Sequence, residues 1–272
     1  MSRALAVFHG LFGRASVYQL NRPFNTHAHR EGHLIFQVGG TPAWIRVNED
    51  DHMLGEEAVV AVNPWELHNF APTDVYDGAL FFVLYVNAGW FSPHGSGGRS
   101  LSFGCTRIAR TAALARHVER AAALVCGAPS LTDLDGELRA LIAACHEESW
   151  AQAKAALPRE RVTDFRVRRS IQLMAEAIGA GVALDDIARR SGLSRPHFYK
   201  LFRAQTGLTP HLYLNTLLME RALDGVAARD APMADIACEL GFSSQSAFTR
   251  FFVGNVGMAP TEYRRAVKVL RA

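Results

Sequence analysis

Apolar residues in the first hundred positions form short runs at roughly even intervals, and residues typical of turns separate the runs. The runs are rich in Val, Ile, Phe and Tyr, which favour β-strands. Gly39-Gly40, Gly55 and Asn63-Pro64 lie between them. Short strands at even spacing predict a β-barrel or sandwich of the jelly-roll class. The predicted strands cover residues 15–20, 33–38, 43–47, 58–62 and 79–86.

From residue 105 the apolar positions recur with the period of an α-helix. Residues 107–126 and 131–154 each carry apolar side chains on one face, which predicts two connecting helices between residues 105 and 156. Their apolar faces fit either packing within the chain or a homodimer contact. Pro158 predicts the end of this region, and helical spacing returns over 162–178 and 209–228.

A short sequence motif occurs twice near the C-terminal end. Its Asp, Ile, Ala, Gly and Ser recur at matching positions, 49 residues apart. Each copy has the pattern of a helix, a glycine-containing turn and a second helix. Gly192 and Gly241 provide the turns, because glycine readily adopts the left-handed conformation that ends a helix. Ser194 and Ser243 are the predicted caps of the second helices. The sequence therefore predicts two helix-turn-helix units.

The second helix of each unit has an inner aromatic face and an outer polar face. Phe198 and Phe202, like Phe248 and Phe252, fall on the inner face. The outer face carries side chains that pair with base edges and phosphates in the major groove. The predicted DNA-binding residues are Arg195, Pro196, Tyr199, Lys200 and Arg203 in the first unit and Gln245, Ser246, Thr249 and Arg250 in the second.

Residues 157–272 resemble the double helix-turn-helix domain of the AraC/XylS family of bacterial transcription regulators. The motifs that carry the resemblance are Gly192-Leu193-Ser194 and Thr209-Pro210 in the first unit, and Gly241-Phe242-Ser243, Gln245-Ser246 and Pro260 in the second. The resemblance implies that both recognition helices read double-stranded promoter DNA. It also implies RNA polymerase as a partner, and activation more often than repression. After Tyr213 the family usually carries basic residues, but this chain does not, so no contact is carried over there.

Histidines form a second pattern, within the predicted β-domain. His27 and His29 are separated by one residue, His33 follows, and His68 comes later. The spacing resembles the two half-motifs of cupins, which occur in sensor domains of AraC-type regulators, although His33 stands where cupins carry Glu. The resemblance implies a metal site of His27, His29, His33 and His68, with Zn, Ni or Fe as the candidate ions.

Other interpretations of the β-domain stay open. Its interior can bind a small-molecule effector without metal, with His27, His29, Trp44, Trp65 and His68 as lining residues, or these side chains can be purely structural. An enzyme is the alternative from another class, because metal-dependent cupin enzymes share such histidines. A fused DNA-binding domain favours sensing, and we predict no catalytic residues.

Composition and charge agree with a two-domain regulator. The chain has 272 residues, enough for two domains. Residues 159–272 carry 17 Lys and Arg against 11 Asp and Glu, whereas residues 1–158 carry 12 against 15. The basic half therefore suits a polyanion. Four cysteines without close pairing, and no targeting or membrane-spanning segment, predict a cytoplasmic bacterial protein.

Together these patterns predict an α+β multidomain chain. A cupin-like β-barrel of the jelly-roll class occupies residues 1–104, the connecting helices occupy 105–156, and an all-α double helix-turn-helix occupies 157–272.

Overall fold

The computed structural model describes residues 2–73, 78–91, 101–127, 131–153, 162–179, 183–228 and 230–269. The chain divides into two compact units, Met1–Ala156 with Val253–Ala272, and Leu157–Phe252. The predicted break near residue 158 lies outside the described residues. No helix within these ranges is both long and apolar enough to cross a membrane.

Two β-sheets form the framework of the first unit. The strands are β1 (Arg3–Gly10), β2 (Gly13–Leu20), β3 (Phe24–His27), β4 (Gly32–Gly40), β5 (Ala43–Val47), β6 (Asp50–Leu54), β7 (Ala58–Val62), β8 (His68–Pro72), β9 (Ala79–Val86), β10 (Arg107–Ala109) and β11 (Val267–Val269). The larger sheet has the order β10-β7-β4-β9-β2-β1-β11, and the smaller has the order β3-β8-β5-β6. A short helix, α1 (Ala88–Phe91), follows β9.

One face of the larger sheet packs against two helices, α2 (Ala112–Cys126) and α3 (Leu131–Ala151). Phe36 from the sheet, Val118 from α2 and Leu138 from α3 belong to one fully buried apolar cluster. Packing within the chain therefore accounts for the apolar faces of both helices. The first helix begins later than predicted, because residues 107–109 form β10 and pair with β7.

The other face of the larger sheet is lined by residues that alternate with those of the helix-covered face. His33, Tyr85 and Arg14 lie opposite one another on β4, β9 and β2 and form a polar row across the sheet. Further along β9, the ring of Phe81 contacts Phe70 of the smaller sheet, with centroids 5.4 Å apart. This face therefore looks toward the smaller sheet and is polar at the His33 end.

The C-terminal segment of the chain is part of the first unit, although the sequence predicts it within the DNA-binding domain. Strand β11 pairs in parallel with β1, with Val267 opposite Val7. Tyr263, in helix α10 (Pro260–Ala266), is fully buried, and its hydroxyl lies 2.9 Å from His9 Nε2.

The second unit is helical. Its helices are α4 (Phe165–Glu176), α5 (Leu184–Arg190), α6 (Arg195–Thr206), α7 (Pro210–Ala228), α8 (Met233–Glu239) and the first eight residues of α9 (Gln245–Val256). The predicted inner faces are buried at Phe198, Phe202, Phe248 and Phe252. The helix-turn-helix pairs are thus α5 with α6 and α8 with α9.

Two glycines with positive φ provide a matched test of this packing. Gly179 has φ 89° and Gly192 has φ 73°, a region that costs a residue with a side chain roughly 1–2 kcal/mol. A Cβ on Gly179 would overlap the carbonyl oxygen of Glu239, whereas a Cβ on Gly192 would meet nothing within 4 Å. We expect Gly192→Ala to lower the free energy of unfolding by roughly 1–2 kcal/mol and Gly179→Ala by clearly more, as measured by urea denaturation. Equal losses would contradict the close approach at Glu239.

His9 predicts a pH dependence of stability. Burial, followed by the positive charge of Arg14, lowers the pKa of His9 from 6.5 to about 3. Below pH 6.5 the unfolded chain gains a proton at this residue that the folded chain does not accept until near pH 3. The stability contributed by neutral His9 is therefore lost as the pH falls through this window.

The test compares wild type with His9→Gln, which does not titrate. We expect the free energy of unfolding to fall less steeply for the variant between pH 6.5 and 3. Parallel curves for the two proteins would mean that His9 titrates alike in both states.

Candidate DNA-reading helices and a buried histidine cluster

The two helix-turn-helix units have the same turn geometry. Gly192 and Gly241 both adopt the left-handed conformation, with φ 73° and 79°. In each turn, the residue after the glycine donates its N–H to the carbonyl five positions earlier, at 3.0 Å in the first unit and 2.9 Å in the second. This bond is typical of the Schellman motif that ends a helix at glycine. The predicted role of both glycines is confirmed.

The helix caps differ from the prediction. Ser194 occupies the N-cap position of α6, but its side chain makes no capping hydrogen bond. In the second unit the helix begins one residue later, and Ser244 Oγ, rather than that of Ser243, accepts from the Ala247 N–H at 3.1 Å. The sequence offers two adjacent serines here, and the later helix start selects the second. Pro196 lies in the first turn of α6, as predicted.

The outer face of α6 presents most of the predicted residues to solvent. Arg195, Pro196, Lys200 and Arg203 are exposed, and Tyr199 is half-buried. His197 is exposed on the same helix and was not predicted, although it adjoins two predicted residues.

Arg195 is already engaged in the free protein. Its Nε lies 3.2 Å from Asp185 Oδ1, and both side chains are largely exposed. Such a surface pair contributes little to stability, so Arg195 can leave Asp185 at low cost.

The outer face of α9 is similar in character to that of α6. Gln245, Ser246 and Arg250 are exposed, and Thr249 is half-buried. All of the residues predicted to bind DNA therefore retain exposed surface.

Three of the predicted histidines converge inside the first unit, and we call His27, His29 and His68 the histidine trio. His27 ends β3 and lies opposite His68, which begins β8. Their ring centroids are 4.3 Å apart, and the His29 ring lies 4.8 Å from His27 and 5.2 Å from His68. Each of the three offers one ring nitrogen to a group whose members all lie within 4.8 Å of one another.

The histidine trio is neutral at physiological pH. The three residues are only 3–5% exposed. Burial lowers the pKa of His27 to about 4 and the pKa of His29 and His68 well below 6.5, with neighbouring histidines adding to the effect for the last two. A neutral imidazole keeps a lone pair on one ring nitrogen, and this lone pair can accept a hydrogen bond or bind a metal ion.

The structure does not bring every predicted metal-ligating or lining residue into this group of ligand atoms. His33 is buried, with its ring 4.5 Å from that of His68, but it is not among the residues that share the ligand-atom cluster. Trp44 is 43% exposed and lies on the opposite face of β5 from buried Ala43 and Ile45. The prediction that Trp44 lines the interior is therefore wrong, because strand alternation turns it outward.

Trp65 lies in the turn that precedes β8. Its backbone N–H donates to the His29 carbonyl at 2.7 Å, and the residue is half-buried with φ 67°. The backbone of Trp65 thus helps to position His29.

Two residues beside the cluster were missed by sequence reasoning. The Tyr85 ring lies 4.9 Å from the rings of both His29 and His33, and the Arg14 guanidinium carbon lies 3.7 Å from the Tyr85 centroid on the same cross-strand row. No local motif marks them, because they come from β9 and β2 and meet only through sheet pairing.

Comparisons with known proteins identify the family. A family model described as a helix-turn-helix domain matches residues 187–266. The probable transcription factor PqrA of Proteus vulgaris is 33% identical over 84 residues, which are 31% of this chain and 69% of PqrA. The chain belongs to the AraC/XylS family of transcription regulators. The resemblance found in the sequence is thereby confirmed.

In two other curated matches, this chain covers a smaller share of the relative. LumQ of Photobacterium leiognathi, a probable transcriptional regulator, is 35% identical over 83 residues, which are 30% of this chain and 34% of LumQ. The activator RclR of Escherichia coli is 33% identical over 105 residues, which are 39% of this chain and 37% of RclR. The chain thus spans about a third of the length of these two relatives.

A solved structure is similar to this chain over nearly the whole length of the chain. An apo variant of ToxT from Vibrio cholerae strain SCE256 matches with a TM-score of 0.65 over 93% of this chain and 97% of that chain, at 13% identity. At this identity the match shows the fold alone. The predicted combination of a sheet-rich N-terminal part with a helical helix-turn-helix part is confirmed.

Proposed function

We propose that this AraC/XylS-family chain regulates transcription by binding specific promoter DNA in response to a small molecule held by the sheet-rich unit. The observation that carries the proposal is the duplicated helix-turn-helix. Both copies have the same glycine turn, a buried aromatic face and an exposed polar face. A purely structural helical pair would not require an exposed polar face twice at the same offset.

The chemistry of the two outer faces supports sequence-specific reading. Arg195, Arg203 and Arg250 carry guanidinium groups that can bind guanine bidentately, and Gln245 carries an amide suited to adenine. Lys200 supplies a charge for phosphate. The excess of basic residues over residues 159–272 adds salt-dependent affinity for any duplex.

The effector site that we propose lies between the interior face of the larger sheet and the facing side of the smaller sheet. It combines polar groups, namely the histidine trio, Tyr85 and Arg14, with apolar side chains such as Phe81. Interior sites of this mixed character bind small molecules with a defined orientation. ToxT, which shares the fold, has been solved with an unsaturated fatty acid bound.

Activation through RNA polymerase is the mode of regulation that we propose. RclR and RhaS, both relatives of this chain, are named transcriptional activators. The effector would act by binding one arrangement of the chain better than another and so shift the population that occupies the promoter. Membership of a regulator family favours this function over the enzyme alternative, and access to promoter DNA requires a cytoplasmic protein. Homodimerisation stays a prediction.

The first test is the selection of bound duplexes from a randomised DNA library by the full chain. We expect a defined sequence to emerge, and Arg250→Ala to weaken binding to it by roughly 1–3 kcal/mol if Arg250 reads a base. Fluorescence anisotropy on the selected duplex and on a scrambled duplex measures this difference.

The matched control is Arg46→Ala, which removes an exposed arginine from the smaller sheet. We expect it to leave both affinities unchanged. An equal loss on both duplexes after Arg250→Ala would assign that arginine to phosphate contact instead. Failure of the library to yield any preferred sequence would contradict the proposed function.

A further inference from the structure

A positive charge on the interior face of the larger sheet has no counter-charge beside it. Arg14 is half-buried, its guanidinium carbon lies 3.7 Å from the centroid of the Tyr85 ring, and its Nε is enclosed without a hydrogen-bond partner. The Arg14 side chain also donates a hydrogen bond to the hydroxyl of Tyr263. None of the ion pairs among the described residues includes Arg14. The carboxylate of Glu31 acts on the Arg14 charge only from beyond ion-pair distance.

The chemistry of Arg14 makes this arrangement costly unless an anion binds. A guanidinium group keeps its proton at physiological pH. Charged groups that leave bulk water are normally paired, because an unpaired charge in a poorly solvated place is unfavourable. An aromatic ring and a neutral hydroxyl replace water only in part, and neither carries a negative charge at this pH. The guanidinium therefore favours an anionic partner and repels a cation.

Other polar atoms on or beside this face also lack a partner. Native proteins leave few buried polar atoms unpaired. Besides Arg14 Nε, the buried side-chain atoms here that have no hydrogen-bond partner among the described residues are Ser16 Oγ, His29 Nε2, His33 Nδ1 and Gln37 Oε1. A face that served only as packed core would not gather five such atoms. Their concentration indicates a face that contacts a polar molecule.

The strand register arranges the polar and apolar side chains of this face in rows that cross β2, β9 and β4. In order along the strands, the rows are Arg14–Tyr85–His33, Ser16–Val83–Ile35 and Tyr18–Phe81–Gln37. Successive rows are two residues apart, which is roughly 7 Å. A ligand with its charge on the first row would lie over the apolar side chains of Val83 and Ile35. A ligand about 13 Å long would also reach the third row and the amide of Gln37.

The Arg14 end of the face selects a carboxylate among common anions. A guanidinium binds a carboxylate through two parallel N–H···O bonds, and the unpartnered Nε of Arg14 can supply one of the two donors. A carboxylate carries one negative charge and so neutralises Arg14, whereas a phosphate monoester carries about −1.5 to −2. His9, opposite Arg14 on β1, supplies no second positive charge, because burial lowers its pKa to about 3.

We propose that the effector is an organic monocarboxylate, with its carboxylate paired to Arg14 and its apolar body over Val83 and Ile35. This rests on the proposed function and deepens it, since it gives a charge and a chemical class to the effector that lies between the two sheets. Arg14 is then the residue that determines specificity. A neutral analogue of the same shape would leave the guanidinium unpaired.

The experiment titrates the full wild-type chain at neutral pH with matched pairs of probes. The probes are straight-chain monocarboxylates from butanoate to dodecanoate and phenyl-substituted monocarboxylates, each with the alcohol of the same carbon skeleton, and calorimetry measures their affinities. We expect at least one carboxylate to bind and its alcohol to bind roughly 10–100-fold more weakly, because a hydrogen bond to a charged group contributes more than one between neutral groups.

This comparison depends on the folding of no variant. Alcohols that bind as tightly as their carboxylates would overturn the proposal, and so would the failure of every carboxylate to bind at millimolar concentration.

Three variants test the role of Arg14. Arg14→Gln removes the charge, Arg14→Lys keeps the charge without the planar fork, and the control Arg22→Gln removes an exposed arginine of the same unit. We expect the preference for the carboxylate over its alcohol to be lost in Arg14→Gln, reduced in Arg14→Lys and unchanged in Arg22→Gln. Circular dichroism verifies that each variant is folded. A preference that survives Arg14→Gln would overturn the assignment of Arg14.

DNA binding separates failure of this proposal from failure of the proposed function. Fluorescence anisotropy on the selected duplex, with and without the bound carboxylate, should show a change in affinity for the wild type that Arg14→Gln lacks. A response to the neutral probes alone would overturn the carboxylate and leave effector-dependent regulation intact. Failure to select any duplex would contradict the proposed function, whereas the comparison of carboxylate with alcohol would still decide what the interior face binds.

Discussion

The pairing register of β4 in the larger sheet is the constraint on which the first unit depends. Residues along β4 alternate between the helix-covered face, where Phe36 packs, and the interior face, where His33 lies. Both faces are buried, but one is apolar and the other is polar near His33. The side chains of one face therefore do not fit on the other. A shift of one residue would place His33 in the apolar cluster against α2 and α3 and would turn Phe36 toward the histidines. The same register therefore maintains both the core and the candidate site.

The larger sheet also includes the end of the chain. Strand β11 extends it beside β1, and Tyr263 is buried against His9. The chain leaves the helical unit within α9, whose first eight residues carry the outer polar face and whose last residues belong to the sheet-rich unit. In the proposed regulator, one helix thus has residues in both units.

Sequence patterns predicted some elements to the residue and missed others for physical reasons. The bounds of β5, β7 and β9 match the prediction because each is a run rich in apolar residues between turn signals. Strand β3 was missed because its central residues are polar and exposed. The start of α2 was misplaced because Ile108 fits a buried strand as well as a helix. The turn glycines were predictable from local motifs, whereas the meeting of Tyr85 and Arg14 with the histidines depends on long-range pairing.

The claim that both helix-turn-helix units read DNA can be tested most directly by a hydroxyl-radical footprint of the full chain on its selected duplex. Two recognition helices that enter successive major-groove segments should protect two patches of backbone about one helical turn, or roughly 10 base pairs, apart. We expect this double protection for the wild type and the loss of one patch when α9 carries Gln245→Ala and Arg250→Ala. A single protected patch in the wild type, unaffected by these changes, would contradict DNA binding by both helix-turn-helix units.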